Sequence, residues 1–455
     1  MNYQDAIAFL EGFINYENMR AGVSYDTRHF HLERFSRFLT RLGGPQRSCN
    51  CLHLAGTKGK GSTAAMLYAL LTEAGFRSGL YTSPHLTGYC ERVQVDGAPI
   101  TEDSFARALE VVKRTVDDGG YEAERNYRTT FELLTAGALV AFQQAGVEWA
   151  VIETGLGGRL DATNVIEPEL TMVTAIGYDH AELLGPSLAE IAAEKCGIVK
   201  PGKPLVLARQ PEEQNGEVAA VARRICQEQD APLHLVTEEW RVQERSVSGQ
   251  GQRIDLLSVD SGEVESVELS LPGAHQADNL ATARAALDVL GQNDQAFAER
   301  MFGNCSFGKC LAQLSWPGRF EIIARNPLVA LDAAHCEISF KALALTLEEN
   351  HGGGDCWLVL GLMEGKDPAR LLAPLFALYP AAKVRVVPLP SPRTMPAAEL
   401  AQALAAAFPE LVVVEQKDAA AALSAAMQGA RPEDAVVVCG SLYHLEPARR
   451  ALAVK

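Results

Sequence analysis

The chain runs to 455 residues, about three times the ~150 of an ordinary domain, so one very large domain or two ordinary ones are open. Hydrophobic residues make up 47% and charged residues 22%, which excludes a disordered or fibrous chain. Lys and Arg number 41 against 57 Asp and Glu, giving −16 at pH 7. So acidic a chain is a poor candidate for wrapping a nucleic acid or coating an anionic membrane. Any anionic ligand must therefore meet positive charge concentrated in its own site.

Met1–Leu10 has no basic region leading into a long apolar stretch, so no signal peptide is expected. No apolar run approaches the ~20 residues of a membrane span. The ten cysteines are scattered, and the closest pairs, Cys49/Cys51 and Cys305/Cys310, lack the spacing of a zinc site or a disulfide framework. Free thiols in a reducing cytoplasm are the expectation.

In chain order, Cys51–Leu54 reads as a short strand feeding a glycine-rich turn. Ser62–Ala74 follows as a helix, with Met66, Leu67, Leu70, Leu71 and Ala74 on one face and Gly75 as its stop. Strands are predicted at Ser78–Tyr81, Trp149–Ile152, Leu170–Ala175 and Pro204–Ala208, interleaved with helical patterns. That rhythm argues for βαβ units and a parallel sheet. Thr237–Leu271 alternates polar and apolar residues and is expected to form antiparallel hairpins appended to the sheet. Ser306–Ser315 is irregular and marks a hinge. The α/β rhythm then restarts, with strands at Val329–Asp332, Trp357–Leu362, Lys383–Val387, Leu411–Glu415 and Ala435–Cys439, and a helix at Ala397–Phe408. The fold class is α/β, with two domains joined near residue 310.

The chemistry concentrates in loops after the predicted strands, where open parallel sheets bind ligands. The turn Ala55-Gly56-Thr57-Lys58-Gly59-Lys60-Gly61-Ser62-Thr63 offers backbone N–H groups, lysine charge and a helix N-terminus to phosphate oxygens. It is not a strict GxxxxGK[ST] loop, because position 54 is Leu and Gly61 separates Lys60 from Ser62. Three further loops carry Thr82-Ser83-Pro84-His85, Glu153 through Asn164, and Gly177-Tyr178-Asp179-His180. A hydroxyl, a carboxylate and an imidazole are competent ligands for a divalent ion already held by phosphates. Ser187-Leu188-Ala189-Glu190 fits a capping box that starts a helix near Leu188. Lys195 then shares a face with Leu188, Ile191 and Ala192, either snorkelling to water or held at the nucleotide edge of the sheet.

The blocks GTKGKGST, YTSPHL, TTFELLTAGAL, ETGLGGRLDATN, GYDHAELLGPSLAEIAAEKCGIVK, LPGAHQADN, WPGRFE, LDAAH and GSLYHL occur in this order from about residue 50 to 443. Together they resemble the folylpolyglutamate synthase and dihydrofolate synthase family of the Mur ligase superfamily. The resemblance implies a large P-loop-type ATPase domain with a mainly parallel sheet, plus a smaller Rossmann-like C-terminal α/β domain. The first, residues 1–309, would bind ATP and folate, and the second, residues 310–455, would serve the glutamate side. The implied activity is ATP-dependent ligation of L-glutamate to a folate or dihydropteroate carboxylate through an acyl phosphate.

The resemblance makes Gly56, Thr57, Lys58, Gly59, Lys60, Gly61, Ser62 and Thr63 the triphosphate loop, with Asn279, Arg319 and Asp332 as further ATP contacts. Lys60, Lys195 and His335 would be catalytic. Ser83, Glu153, His180 and a carbamylated Lys195 would hold one or two Mg²⁺. Asp26, Thr27, Arg28, Thr130, Phe131, Glu132 and Asp161 would hold the pterin substrate. The implied partners are small molecules only, with no nucleic acid and no membrane, and a cytoplasmic monomer is the default. Two departures stand out: Lys58 replaces a frequent Asn, and Cys336-Glu337 replaces the usual Asn-Pro after His335. A Mur-like ligase for another acid and amine, or a nucleotide-gated binding protein, remains open at this point.

Overall fold

The computed structural model describes residues 1–15, 31–120, 128–211, 215–248 and 251–453. It divides into two compact units. One comprises Met1–Glu244, Ile254–Val267 and Ala277–Leu314; the other comprises Arg245–Arg253, Glu268–Gln276 and Ser315–Lys455. No helix among the described residues is long and apolar enough to cross a membrane.

The first unit is built on an eight-stranded sheet. Its strands are β1 (Asn50–Ala55), β2 (Ser78–Tyr81), β3 (Val93–Val95), β4 (Ala98–Pro99), β5 (Trp149–Glu153), β6 (Leu170–Val173), β7 (Leu205–Leu207) and β8 (Leu233–Leu235). They lie in the order β4-β3-β2-β5-β1-β6-β7-β8. The ladder from β2 to β8 is parallel, and β3 and β4 add an antiparallel edge. The sheet is thus mixed and largely parallel. Parallel strands covered on both faces read as apolar runs, and Cys51–Ala55, Trp149–Glu153 and Leu170–Val173 are buried throughout.

The Lys60–Glu73 helix is buried nearly all round and packs on β1, β2 and β5. Gly75 ends it at φ +82°, its N–H bonded to Thr72 and that of Phe76 to Leu71. This is the double bond of a left-handed glycine cap. Aromatic and aliphatic side chains of the helices Leu32–Arg41, Glu102–Asp118 and Thr130–Ala145 form one core. Leu188, Ile191, Ala192 and Val218 form another with Ala55, Val173 and Leu205.

Two expectations need correction. Strands β9 (Trp240–Ser248), β10 (Gly251–Ser258) and β11 (Val264–Leu269) make a separate three-stranded sheet, rather than an extension of the large one, and Val236–Glu239 before them is helical. Their alternation of polar and apolar residues specifies strands but not which sheet they join. The supposedly irregular stretch near residue 310 contains the helix Phe307–Ala312, anchored by buried Phe307 and Leu311.

The second unit carries β12 (Glu321–Arg325), β13 (Leu328–Leu331), β14 (Cys356–Leu360), β15 (Lys383–Val386), β16 (Val412–Glu415) and β17 (Ala435–Cys439) in the order β12-β13-β17-β14-β15-β16. All its pairings are parallel except β12 with β13. Helices at Glu337–Asn350, Pro368–Leu378 and Ala397–Ala407 close its core.

Candidate active site

The order β2-β5-β1-β6 places the four chemistry-bearing loops side by side at the C-terminal edge of the sheet. Register fixes the alignment: Leu54 of β1 faces Glu153 of β5, and Ala55 faces Val173 of β6. The sheet itself stops early at β6 because Thr174 and Ala175 turn to serve the glycine-rich turn. Thr174 N–H donates to the Ala55 carbonyl, and the Ala175 carbonyl accepts from Thr57 and Lys58 at 2.9 and 3.0 Å. Thr57 and Gly177 exchange two bonds, both 3.1 Å. The turn is therefore held by β6 on one side and runs into the Lys60–Glu73 helix on the other.

Three lysines converge there. Lys60 Nζ donates to the Gly56 carbonyl at 3.1 Å and lies 3.9 Å from Glu153 Oε1. Lys195 Nζ donates to the same carbonyl at 2.8 Å. Lys58 pairs with Asp179 at 3.2 Å. Burial is the main reason the Lys60 ammonium is weakened, with Glu153 opposing it. Lys195 is pushed down from 10.5 to about 7, first by burial and then by the charge of Lys60, against the pull of Asp179. Burial and like charge lower the basicity of Lys60 and Lys195, which Glu153 and Asp179 offset only in part, so the turn is an electropositive spot in an acidic chain. The snorkelling alternative for Lys195 fails, because the residue is only 5% exposed.

The Lys195 helix, Leu188–Cys196, begins with the expected Ser187/Glu190 capping box. Its far end is seated by the Gly155–Leu160 loop. A Cβ at Gly158 would lie 2.8 Å from the carbonyl oxygens of Glu194 and Lys195, and Arg159 N–H donates to Glu194 at 2.8 Å. The Arg159 guanidinium also forks onto the Glu194 carboxylate. Close backbone approach is what the glycines of this motif supply.

Glu153 is 5% exposed and accepts from Ser83 N–H at 3.3 Å. Thr63 Oγ1 and Thr154 Oγ1 are buried without a hydrogen-bond partner among the described residues. His180, at φ +53°, is half exposed, its ring within 4.0 Å of Asp179 and 3.9 Å of Glu182. No three His, Cys, Asp or Glu side chains among the described residues stand together as a metal cluster. The carboxylate of Glu153 is a hard oxygen donor of the kind Mg²⁺ takes, whereas the His180 ring is turned to Asp179 and Glu182.

Mur ligase domain patterns match most of the chain: the Mur ligase middle domain over residues 54–287 and the Mur ligase, glutamate ligase domain over residues 318–442. The dihydrofolate synthase/folylpolyglutamate synthase of Bacillus subtilis is 32% identical over 366 residues, 80% of each chain. The folylpolyglutamate synthase of Lacticaseibacillus casei is 30% identical over 453 residues, 99% of each chain. This chain belongs to the Mur ligase family, in its folylpolyglutamate/dihydrofolate synthase branch. The structure agrees: Mycobacterium tuberculosis folylpolyglutamate synthase complexed with ADP matches with a TM-score of 0.84 at 31% identity, covering 99% of this chain and 98% of that one. Escherichia coli FolC in complex with DHPP and ADP matches at 0.80 and 29% identity, covering 100% and 98%. The family is one of ATP-dependent ligases.

In this ligase Asn279, on the Ala274–Asn293 helix, reaches the glycine-rich turn. A Cβ at Gly59 would lie 2.3 Å from Asn279 Oδ1, and Gly59 sits at φ +93°. Gly59→Ala should therefore strain the turn by about 1–3 kcal/mol and displace Asn279. Its KM for ATP is expected to rise about tenfold with the fold retained; steady-state kinetics and a thermal melt check both.

Other expected substrate residues are engaged within the protein. Thr130 Oγ1 donates to the Leu10 carbonyl, and Glu132 closes a capping box with Thr129 and lies 3.7 Å from Arg128. Phe131 reaches the site, since a Cβ at Gly155 would fall 2.6 Å from its ring. Both Asp161 oxygens accept loop N–H bonds, from Leu156 at 2.8 Å and Thr163 at 2.9 Å. Asp26, Thr27 and Arg28 lie outside the described residues. Sequence reading missed Asp179 as the partner of Lys58, although opposite charges on loops of adjacent strands were a usable signal.

In the second unit, Asp332 follows β13 and accepts from the N–H groups of Phe320 and Ala334 at 2.8 and 2.7 Å. It thereby pins the Gly318-Arg319-Phe320 turn, in which Arg319 donates to the Gly318 carbonyl at 3.1 Å. His335 Nδ1 meets the Ala333 carbonyl at 2.8 Å. The departures from the family pattern are accommodated locally. Cys336 caps the Glu337–Asn350 helix, and Glu337 pairs with Arg370 at 2.9 Å. Both partners of that pair are more than half exposed, so it contributes ~0–1 kcal/mol.

Proposed function

We propose that this chain joins L-glutamate to a folate carboxylate, either dihydropteroate or a reduced folate, at the expense of ATP. The observation that carries the reading is the convergence of Lys58, Lys60 and Lys195 with buried Glu153 around the Gly56–Gly59 turn, in a chain of net charge −16. The named activities and bound ADP and DHPP of the relatives support the same choice of substrates.

A carboxylate is a poor electrophile. Its oxygen attacks the γ-phosphorus of ATP, ADP leaves, and the acyl phosphate forms. The glutamate amine then attacks the carbonyl carbon, inorganic phosphate leaves with the bonding pair, and the amine releases a proton. Lys58 and Lys60 bind the phosphates, and their charge stabilises the transferring phosphoryl group in a low-dielectric site. Asn279 orients the turn. Ser83, Glu153, His180 and a carbamylated Lys195 would hold Mg²⁺, which when bound neutralises phosphate charge. Arg319, Asp332 and His335 complete the nucleotide contacts in our reading, and Phe131 and Asp161 border the pterin. Residues 1–309 and 310–455 are assigned to the ATP-and-folate side and the glutamate side. The ten free cysteines fit a reducing compartment such as the cytoplasm, and a monomer is our default.

The deciding experiment is ADP release with product mass spectrometry, offering dihydropteroate and tetrahydrofolate separately, each with and without L-glutamate. A mass gain of one glutamyl unit, matched by glutamate-dependent ADP, is expected. ADP release indifferent to glutamate would mark a nucleotide switch instead. Glu153→Gln keeps the side chain's shape but removes its charge. Turnover is expected to fall about 10²-fold, with part of it returning at higher magnesium; a magnesium titration of both proteins is the check.

A further inference from the structure

His53 lies on β1, three residues before the phosphate turn, and is wholly buried. Its Nε2 is 2.8 Å from Thr163 Oγ1. The Thr163 hydroxyl donates to Asp161 Oδ1, so its lone pair is what meets the imidazole, and Nε2 carries the proton. Nδ1 is then a bare acceptor with no partner among the described residues. Burying a bare acceptor is unfavourable, and a phenylalanine or leucine there would avoid it. The imidazole is thus poorly explained as core filling and well explained by its Nε2–H.

What that donor holds can be followed outward. Asp161 clamps Leu156 and Thr163 N–H, shaping the Gly155–Leu160 loop. That loop seats the end of the Lys195 helix through Gly158 and Arg159. Lys195 returns to the Gly56 carbonyl, immediately after the strand that carries His53. The contacts form a closed ring from β1 back to the phosphate turn.

We propose that His53 is a positioning residue, whose bond through Thr163 to Asp161 holds the Gly155–Leu160 loop and the Lys195 helix in register with the phosphate turn. The inference rests on the ligase reading for its kinetic consequence, although the ring itself exists without substrate. Burial pushes the His53 pKa down to about 3, aided by Lys200, so the imidazole stays neutral and the bond persists across ordinary pH.

The test compares His53→Gln, which retains an amide donor, His53→Phe, which fills the space without one, Thr163→Val, and the double variant His53→Phe/Thr163→Val. His53→Phe is expected to lose about 10–100-fold in kcat with KM for folate nearly unchanged, while His53→Gln stays within about threefold of wild type. The double variant should be no worse than Thr163→Val alone, because both residues act in series. Hydrogen exchange of the Leu156 and Thr163 amides, measured without substrate, should quicken in His53→Phe and not in His53→Gln. A His53→Phe protein as active as His53→Gln, or losses that multiply in the double variant, would overturn the proposal. Should His53→Phe fail to fold, His53→Gln and Thr163→Val still decide it: both weak, or both like wild type, counts against a bond in series. If wild type shows no glutamate-dependent ADP release, the ligase reading fails, and the amide exchange still tests the ring.

Discussion

Lys60→Ala is expected to abolish glutamate-dependent ADP release, a loss of roughly 10³-fold or more, while leaving the melting temperature nearly unchanged. Lys60 opens the Lys60–Glu73 helix, where alanine is a good helix former. Its side chain is 16% exposed, and among the described residues its Nζ holds the Gly56 carbonyl and, more distantly, Glu153. Little packing is therefore lost. What disappears is the charge that our reading assigns to the phosphates. The variant also removes the charge that helps depress Lys195, so the Lys195 amine becomes more basic. Lys60→Ala is thus expected to weaken phosphate binding directly and to shift Lys195 toward the ammonium. Single-turnover kinetics with saturating ATP separates the effects: if only binding were affected, the chemical step would recover. Near-normal turnover would remove Lys60 from the phosphate role.

Most strands that were legible in the sequence are buried on both faces, while Val412–Glu415, largely exposed, was legible from its run of valines alone. Ala435–Cys439 and Cys356–Leu360 are apolar and buried along their length. The edge strand Glu321–Arg325 went unread because it is half exposed, shifts register beside Ile322, and mixes charged with apolar residues. β8 is only three residues long and partly exposed, too short for any period to show. The helix start was placed two residues late because Gly59, in a left-handed conformation, caps it without the side-chain oxygen that usually marks a cap.

At the site, glycines and charges were visible because they cluster in one short turn between a strand and a helix. Their partners were not. Thr129 and Glu132 carry the T-x-x-E spacing of a capping box, yet the motif around them suggested substrate contacts. The pairing of Lys58 with Asp179, and the chain from His53 to Asp161, join residues far apart in sequence that only the β1–β6 and β1–β5 registers bring together. Lys195 is the sharpest case. Helical periodicity placed it on an apolar face but could not say whether its amine reached water. The tertiary bond to Gly56 settles that.

Lys195→Arg is expected to lose activity by roughly 10²–10³-fold, although it preserves the formal charge. The amine is buried and its pKa lies near 7, so a large share is neutral at physiological pH. A neutral amine can attack CO₂: the nitrogen pair forms the N–C bond, a proton leaves, and a carbamate anion remains. The carbamate of our reading would invert the charge and offer two hard oxygen donors suited to Mg²⁺. A guanidinium stays protonated and is closed to that reaction. Lys195→Ala, by contrast, leaves room for a short-chain carboxylate, and formate or acetate should return part of its activity. The same pKa shift has a consequence for stability with a definite sign. Between about 7 and 10.5 the unfolded chain holds a proton on Lys195 that the folded chain does not, so this group makes stability rise with pH across that window. Above 10.5 the penalty is absent; below 7 it is fully developed and constant. Lys195→Met should therefore be more stable than wild type by ~3–5 kcal/mol near pH 6.5, in the absence of nucleotide and bicarbonate, with the gap closing toward pH 10. Denaturant melts at three pH values measure it. A gap that widened with pH would mean that Lys195 is stabilised as a cation in the folded chain, and the carbamate would lose its neutral precursor.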